Sequence, residues 1–373
     1  IQGSNMKLSY FTMPLHPKNR NYLETLNEDR EAFLLADRLG YYEAFVGEHV
    51  TDQAETVTSS LMFLASLAYQ TKNIKLGSGT VNLPNAHPAA VAAQVAMIDH
   101  MLEGRFIFGI SPGGLLSDAE VFGNLDRDRK AMFAESIQQI LQIWKNDPPY
   151  DLKGDFWDIS TQRTLDEEIG QGIFIKPYQR PSPPIMVACM SPFSESVKAA
   201  AINGWSIISA NFLQPIWVAS HWEMLCKGWS EANMEFVPQD WRVAKSIFVA
   251  DDEKTALKYA MDPKGPYGHY YASLMKKLIG NGRPDLFKDR RDMPDSDVTH
   301  DFVMRKLIIY GTSEQVAEKI VNFRKEVGNF ETLVYAGHDW GNPELSRRSM
   351  ELMAQEVMPL VNNALYADHN MTV

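Results

Sequence analysis

Residues 74–111 read IKLGSGTVNLPNAHPAAVAAQVAMIDHMLEGRFIFGIS. Two short stretches rich in apolar and β-branched residues flank a longer alanine-rich stretch with a helical pattern. We predict a strand at 74–83, a helix at 88–101 and a second strand at 105–111. This strand–helix–strand order is typical of a parallel sheet, because parallel neighbours need a crossover connection.

The same rhythm continues in both directions along the chain. The predicted strands are residues 7–13, 43–47, 74–83, 105–111, 185–190, 206–211, 242–249 and 332–336. The predicted helices are residues 24–39, 59–70, 88–101, 127–145, 194–203, 216–234, 313–327 and 344–361. Eight strands of near-continuous apolar character that alternate with helices predict a closed (β/α)8 TIM barrel.

Length is consistent with one such barrel. The chain has 373 residues and 45% hydrophobic content, and a (β/α)8 barrel averages about 250 residues and exceeds 400 with insertions. We predict a single domain over residues 6–363. Residues 1–5, before Met6, have the character of an expression scar.

Two stretches interrupt the rhythm. Residues 148–184 are aromatic and rich in Gly and Pro, and residues 261–299 are polar, charged and rich in Gly and Pro. In a barrel, such insertions usually lie in loops that cover or gate a site. We interpret residues 261–299 as a mobile lid that cannot bury enough apolar surface to stay rigid alone, with a solvated surface excursion as the alternative.

Composition excludes several function classes. The formal net charge is −11, with Lys and Arg scattered, so no nucleic-acid or anionic-membrane footprint is present. The longest apolar runs, 106–110 and 185–189, are far shorter than the roughly 20 residues that span a bilayer. Cys189 and Cys226 lack the spacing of a disulfide framework or a zinc site and are interpreted as buried thiols. We predict a cytoplasmic protein without a metal.

In a TIM barrel the functional groups follow the carboxyl ends of the strands. Those positions here are 13–16, 48–49, 78–82 with His87, 111–114, 190–194, Asn211 and 338–339. They offer no His-Glu-x-x-His, no phosphate-binding P-loop and no spacing typical of metal ligands. A cofactor must then carry the chemistry.

Two of these strand ends have features suited to a flat, phosphorylated cofactor. The small residues Ser78, Gly79 and Thr80 allow backbone to approach a planar ring. Ser191 and Ser194, at the start of a predicted helix, suit a phosphate, although a serine there is also an ordinary helix cap.

One motif points to a different chemistry. Residues 109–113 read GISPG and match the G-x-S-x-G pattern of a serine hydrolase, with His338 and Asp339 as conceivable partners of Ser111. The residue after the serine should donate its backbone N–H to an oxyanion, but it is Pro112, which has none. The hydrolase interpretation is therefore disfavoured.

A string of patches identifies the chain as similar to the bacterial-luciferase-like flavin monooxygenases. The patches are GEH at 47–49, VNLP at 81–84, AHP at 86–88, MIDHM at 97–101, EGRF at 103–106, MSP at 190–192 and SEQV at 313–316. Within that family, GEH together with PGG at 112–114 and HD at 338–339 resembles the limonene and diketocamphane monooxygenase branch. The resemblance covers nearly the whole chain.

The resemblance implies a reduced flavin mononucleotide (FMN), supplied by a separate reductase, that reacts with O2 to form a C4a-peroxyflavin. His49 aligns with a catalytic histidine, and Ser111 falls where luciferase has a reactive cysteine. Gly79 and Thr80 correspond to a non-proline cis peptide under the flavin ring. Pro112 replaces a phosphate-gripping arginine, so the phosphate contacts are assigned to backbone N–H groups, Ser191 and Ser194.

The strand-end residues are predicted to fall into three groups: catalytic residues, cofactor contacts, and substrate or lid residues. The catalytic residues are His49 and Ser111; the cofactor contacts are Met13, Glu48, Ser78, Gly79, Thr80, Asn82, Met190, Ser191 and Ser194; and the substrate or lid residues are Asn211, Tyr270 and His338. The expected substrate is a small hydrophobic terpene, cyclic ketone or aldehyde. The alternatives are a hydride-transferring oxidoreductase that uses FMN or the deazaflavin F420, and a non-catalytic flavin-binding protein. The family also implies a homodimer.

Overall fold

The computed structural model describes residues 5–13 and 15–372. The predicted expression scar therefore lies outside the described residues, apart from Asn5. The strands are β1 Lys7–Thr12, β2 Glu43–Val46, β3 Lys75–Ser78, β4 Val81–Asn82, β5 Phe106–Ser111, β6 Asp151–Leu152, β7 Ile159–Ser160, β8 Ile185–Cys189, β9 Ser206–Ser209, β10 Trp241–Val249, β11 Ile308–Gly311 and β12 Thr332–Gly337.

The helices are α1 Tyr22–Arg38, α2 Ser60–Leu67, α3 Pro88–Met101, α4 Leu116–Val121, α5 Arg129–Lys145, α6 Glu195–Ile202, α7 Pro215–Glu231, α8 Glu253–Ala260, α9 Pro266–Gly280, α10 His300–Leu307, α11 Ser313–Val327, α12 Pro343–Leu352 and α13 Met358–Met371. A π-helical turn, Met353–Val357, joins the last two. None of the helices in the described residues is long and apolar enough to cross a membrane.

The fold is the predicted (β/α)8 barrel. The hydrogen-bonded strand order is β10-β12-β1-β2-β3-β5-β8-β9, and β9 pairs with β10 again, so these eight strands form a closed ring. Strand β11 pairs with β10 in addition. The pairing is parallel, with Lys7 of β1 and Arg242 of β10 both opposite Thr332 of β12. Helices separate successive barrel strands, as parallel neighbours require.

Internal contacts divide the chain into two units, which we describe separately. The first contains residues up to 44, residues 53–56 and residues from 187 onward; the second contains residues 45–52 and 57–186. In the first unit, all nine residues of β10 are buried. There the Arg242 guanidinium pairs with both oxygens of Glu43 at 2.9 and 2.7 Å and also bonds Ser206, so the buried charge is compensated.

Several predicted boundaries need correction. The predicted strand 74–83 is interrupted: β3 ends at Ser78 and β4 begins at Val81, and the Gly79–Thr80 peptide between them is cis, as the family resemblance implied. The short helix α4 and strand β11 were not predicted. Helices α3 and α11 have exactly the predicted bounds, and α13 continues to Met371, beyond the predicted end of the domain.

The two insertions also contain regular structure. The first holds the antiparallel pair of β6 and β7. The second contains the helix α9, which the sequence analysis did not predict, and the mobility of the segment stays a prediction. Tyr267, Tyr270, Tyr271 and Met275 are buried on one face of α9 at helical spacing, and Pro266 occupies its first turn. That this segment closes over a ligand stays a prediction.

The cysteines differ in burial. Both are free thiols; Cys189 is buried, as predicted, but Cys226 is only half-buried. Burial raises the pKa of Cys189 to about 12, which makes it an inert apolar group at neutral pH.

In the second unit, β3 and β5 approach so closely at Gly109 that no side chain fits. A Cβ added there would lie 1.7 Å from the carbonyl oxygen of Ser78. We expect Gly109→Ala to destabilise the protein by roughly 1–3 kcal/mol or more, because backbone must move to relieve the overlap. Gly114→Ala is the matched control, since nothing lies within 4 Å of its added Cβ. Equal urea midpoints for the two variants would contradict this prediction.

Candidate active site

Glu48, directly after β2, organises the ends of the neighbouring elements in the second unit. One carboxylate oxygen accepts hydrogen bonds from the backbone N–H and hydroxyl of Ser60 at 2.7 and 2.8 Å, at the start of α2. The other accepts from the backbone N–H of Asn82, whose side-chain amide donates to the Glu48 carbonyl. Burial raises the pKa of Glu48, although these hydrogen bonds favour its ionised form. Glu48 thus fixes the position of Asn82.

The neighbouring His49 is paired with a carboxylate that the sequence analysis missed. Its Nδ1 lies 3.1 Å from Oδ2 of Asp118, on α4. Asp118 also accepts from the backbone N–H groups of Val50 and Thr51 and from the Thr51 hydroxyl. Burial alone would raise the pKa of Asp118, but the hydrogen bonds from His49, Thr51 and Val50 outweigh it and lower the pKa to about 2. Asp118 is therefore ionised at neutral pH.

The ionised state of Asp118 determines the tautomer of His49. A carboxylate only accepts hydrogen bonds, so Nδ1 of His49 must carry a proton. In the neutral ring, Nε2 is then the basic nitrogen. The His49 side chain retains 14% exposure, so it is accessible from outside the fold.

Thr80, Asn82 and Ser111 form a hydrogen-bonded triangle. The Thr80 hydroxyl donates to the Ser111 hydroxyl at 2.6 Å, and the Ser111 hydroxyl donates to Oδ1 of Asn82 at 2.9 Å. The backbone N–H of Gly113 also donates to Ser111. The proton of Ser111 is thus directed to an amide, which is not the arrangement of an activated nucleophile.

Ser78 lies in the same region but has a structural partner. Its hydroxyl donates to the Gly109 carbonyl at 2.7 Å and accepts from the Gly109 N–H at 2.9 Å, and the side chain is fully buried. The hydroxyl of this predicted cofactor contact is therefore committed to the backbone of β5. The second unit brings together Glu48, His49, Ser78, Thr80, Asn82 and Ser111 of the predicted site residues.

A small cleft adjoins the triangle. Its lining includes Asn82, Asp118, Arg129 and the turn 112–114. Gly113 has a φ of +83°, in the region that favours glycine, and an added Cβ at Gly114 would meet no atom within 4 Å. Small residues therefore keep the surface beside the polar triangle open.

In the first unit, the predicted residues Asn211, Tyr270 and His338 do lie together. The Asn211 amide donates to the Tyr270 hydroxyl and to the Ser246 hydroxyl, each at 3.1 Å. Nε2 of His338 lies 2.9 Å from the same Ser246 oxygen, and the Tyr270 ring centroid is 4.1 Å from that of His338. Burial lowers the pKa of His338 to about 3, so the ring is neutral at neutral pH.

The geometry of the first unit also removes the partners that a serine hydrolase would need. Nε2 of His338 bonds Ser246, and the Asp339 carboxylate bonds Nδ1 of His16 at 2.6 Å and Arg20 at 2.6 Å. His338 and Asp339 therefore do not form the base–orienter pair of a catalytic triad. This finding agrees with the objection that Pro112 raises.

His16, Glu28 and Asp29 present possible metal-ligand atoms within 4.8 Å of one another. The second ring nitrogen of His16 lies 2.9 Å from Asp29, so both nitrogens face carboxylates. Burial would lower the pKa of His16, but its hydrogen bonds to the Asp29 and Asp339 carboxylates raise it to about 9. Both ring nitrogens then donate to carboxylates, and the group forms a buried ionic cluster at neutral pH.

The predicted phosphate loop after β8 is held by α7. Nε2 of His221 lies 2.8 Å from the Ser191 carbonyl, and the Ser220 hydroxyl accepts from the backbone N–H of Phe193 at 2.9 Å. Ser194 occupies the N-cap of α6, and its side chain makes no cap hydrogen bond. Its hydroxyl is therefore not needed to cap the helix. Met13 and Ser191 are half-buried and Met190 is exposed.

Comparison with known proteins identifies the class to which this fold and these strand-end residues belong. The family described as luciferase-like monooxygenase matches residues 6–329, and the chain belongs to that family. It is an enzyme of the luciferase-like monooxygenase type, as predicted.

Two curated relatives and one solved structure are similar over almost the whole chain. The 4-hydroxyprotoasukamycin monooxygenase of Streptomyces nodosus subsp. asukaensis is 28% identical and covers 95% of this chain and 92% of its own. Limonene 1,2-monooxygenase of Rhodococcus erythropolis is 29% identical, with 95% and 86% covered. The oxygenating constituent of 3,6-diketocamphane monooxygenase from Pseudomonas putida, solved with FMN, has a TM-score of 0.86 and 26% identity, covering 95% and 98%. The predicted resemblance to the limonene and diketocamphane branch is thus confirmed.

Proposed function

We propose that this chain is the oxygenase component of a two-component system that takes reduced FMN from a separate reductase and uses O2 to oxygenate a small hydrophobic molecule. The observation that carries the proposal is the pair of His49 and ionised Asp118, whose carboxylate lines the same cleft as Asn82 of the polar triangle. The FMN complex of the diketocamphane enzyme constituent supports the choice of cofactor.

The residues of the second unit suit the flavin ring. The Thr80 hydroxyl oxygen and the second N–H of the Asn82 amide offer an acceptor and a donor to a heteroaromatic edge, and Gly113 and Gly114 leave room beside them. Ser78 takes no direct part, because its hydroxyl is held by Gly109. When bound, reduced flavin supplies the electrons that activate O2.

His49 is the proton-transfer group in this proposal. Asp118 holds the proton on Nδ1, so Nε2 takes up or releases a proton at the reacting centre. Ser111 orients rather than attacks, since its proton points to Asn82. Glu48 acts through Asn82 and is a positioning residue.

An oxygen-consumption assay tests the proposal. The full chain is supplied with FMN, NADH, a generic flavin reductase and a panel of terpenes, cyclic ketones and aldehydes. We expect at least one oxygenated product whose formation requires the chain and reduced FMN. Oxygen uptake that yields only hydrogen peroxide across the panel, or turnover with reduced F420 in the absence of O2, would instead favour a flavin-binding or hydride-transferring protein.

We expect the chain to bind FMN more tightly than flavin adenine dinucleotide. The proposed phosphate contacts are confined to one short loop and helix start, at Ser191 and Ser194. The sequence also contains no Gly-x-Gly-x-x-Gly that would hold a pyrophosphate. Fluorescence-quenching titrations with both flavins, repeated with Ser194→Ala, measure the difference. Tighter binding of the dinucleotide would contradict the single-phosphate assignment. The homodimer and the cytoplasmic location stay predictions.

A further inference from the structure

His338 has one ring nitrogen whose partner is missing among the described residues. Nε2 bonds Ser246, but Nδ1 is buried and has no hydrogen-bond partner in the part of the chain that the structure describes. The side chain is 6% exposed. A buried polar atom without a partner costs about 1–3 kcal/mol, and such atoms are satisfied by a bound water, an ion or a ligand.

The surrounding hydrogen bonds determine which tautomer leaves every other group satisfied. The Ser246 oxygen has three neighbours: the Asn211 amide, the Tyr271 hydroxyl at 2.8 Å and Nε2 of His338. Asn211 donates to Ser246. The Tyr271 hydroxyl has two hydrogen-bond partners, Ser246 and Asn211, and its hydrogen is satisfied when it also donates to Ser246.

With two hydrogen bonds accepted, the Ser246 hydroxyl has its own hydrogen left for Nε2 of His338. Nε2 is then an acceptor, and in the neutral ring the proton resides on Nδ1. In this arrangement Nδ1–H is a buried donor.

The ring is held firmly in this orientation. It packs against Tyr267 and Tyr270 of α9, with centroid distances of 4.7 and 4.1 Å. The next residue, Asp339, is tied to His16 and Arg20, and the backbone N–H of Trp340 donates to Glu28 at 3.0 Å. A rigid donor in an aromatic setting is preorganised for recognition of one polar atom on an apolar molecule.

We propose that Nδ1–H of His338 donates a hydrogen bond to a carbonyl oxygen of the substrate, so that the enzyme prefers a ketone to a hydrocarbon of the same shape. A carbonyl oxygen is the simplest complement, because it accepts a hydrogen bond and brings no hydrogen of its own. Oxygenation of the ketone rests on the proposed function, whereas binding of the ketone by His338 does not.

The tautomer is tested first, on the full chain without flavin. The ¹⁵N NMR spectrum of a protein labelled at histidine, assigned with a His338→Gln variant, distinguishes a protonated from an unprotonated Nδ1. We expect the proton of His338 on Nδ1 at pH 7. A proton on Nε2 would overturn the proposal without bearing on FMN binding or oxygenation.

Substrate preference is tested by binding of cyclohexanone and methylenecyclohexane, which differ only in the C=O or C=CH2 group. With oxidised FMN present, we expect the ketone to bind about tenfold more tightly, the ratio that one neutral hydrogen bond supplies. Labelled cyclohexanone should also show a lower carbonyl stretching frequency when bound. Equal affinities, or no binding of the ketone, would overturn the proposal.

Two variants of His338 separate the role of its Nδ1–H donor from that of the imidazole ring. His338→Asn places an amide N–H near the position of Nδ1 and should keep part of the preference, whereas His338→Gln places its amide near Nε2 and should lose it. The exposed residue His369 gives the matched control, His369→Gln, which should retain the full ratio. If product forms in the oxygenation assay but the ratio is one, the carbonyl assignment fails and the proposed function stands.

Discussion

The His49→Ala variant is expected to lose about 10²-fold or more in oxygenation turnover, the usual effect of removing an acid–base group. Flavin affinity and the thermal midpoint should stay nearly unchanged, because His49 is half-buried and its partner Asp118 keeps the hydrogen bonds from Val50 and Thr51. Stopped-flow or steady-state rates of product formation, with reduced FMN in excess, measure the effect. A variant that forms product at the full rate would show that His49 is structural.

The Asp118→Asn variant separates the role of the carboxylate from that of the ring. An amide of the same shape carries no charge and can turn its NH2 toward Nδ1, which favours the tautomer with the proton on Nε2. We expect a loss of roughly 10- to 100-fold in turnover, the range typical of a partner that fixes a histidine ring. The exposed Asp126→Asn variant is the matched control. An unchanged rate in Asp118→Asn would remove the tautomer argument.

The regular part of the barrel was predictable because its apolar patterns are strong. All eight barrel strands were located, and α3 and α11 were predicted to the residue. Helices α4, α8 and α10 were missed, with six, eight and eight residues, as was strand β11 with four, and such short elements carry little periodic signal. In α9, the tyrosines at helical spacing were a usable signal, but the glycines and prolines of the same segment were given more weight.

The candidate site was predictable only in part, since sequence reports which residues follow a strand and not what they touch. His49 and Ser111 were selected by position. Asp118 is 69 residues from His49 and belongs to an unpredicted helix, so nothing local connected them. Ser78 was predicted as a cofactor contact because of its small size, and its hydroxyl bridges both backbone groups of Gly109, a contact that depends on the register of two strands.

The buried cluster around His16 should make the stability of the protein depend on pH. His16 is 1% exposed and donates to Asp29 and Asp339 from its two ring nitrogens, and Arg20 bridges Asp339 and Glu28. These carboxylates raise the pKa of His16 from 6.5 to about 9. Burial also raises the pKa values of Glu28 and Asp29, which offsets part of the stabilisation.

The raised pKa of His16 determines in which direction the free energy of unfolding changes with pH. Since the folded value lies above the unfolded one, the stabilisation is fully present below about pH 6.5 and is lost as the pH rises through 9. We expect His16→Gln to lower the free energy of unfolding by about 3–5 kcal/mol at pH 6.5, because the buried Asp29 carboxylate loses the cation that it contacts and Asp339 keeps only Arg20. The difference from the parent protein should shrink toward pH 10. Urea unfolding at both pH values measures it, with His369→Gln as the exposed control. A difference that stays constant or grows with pH would mean that His16 is neutral in the folded protein.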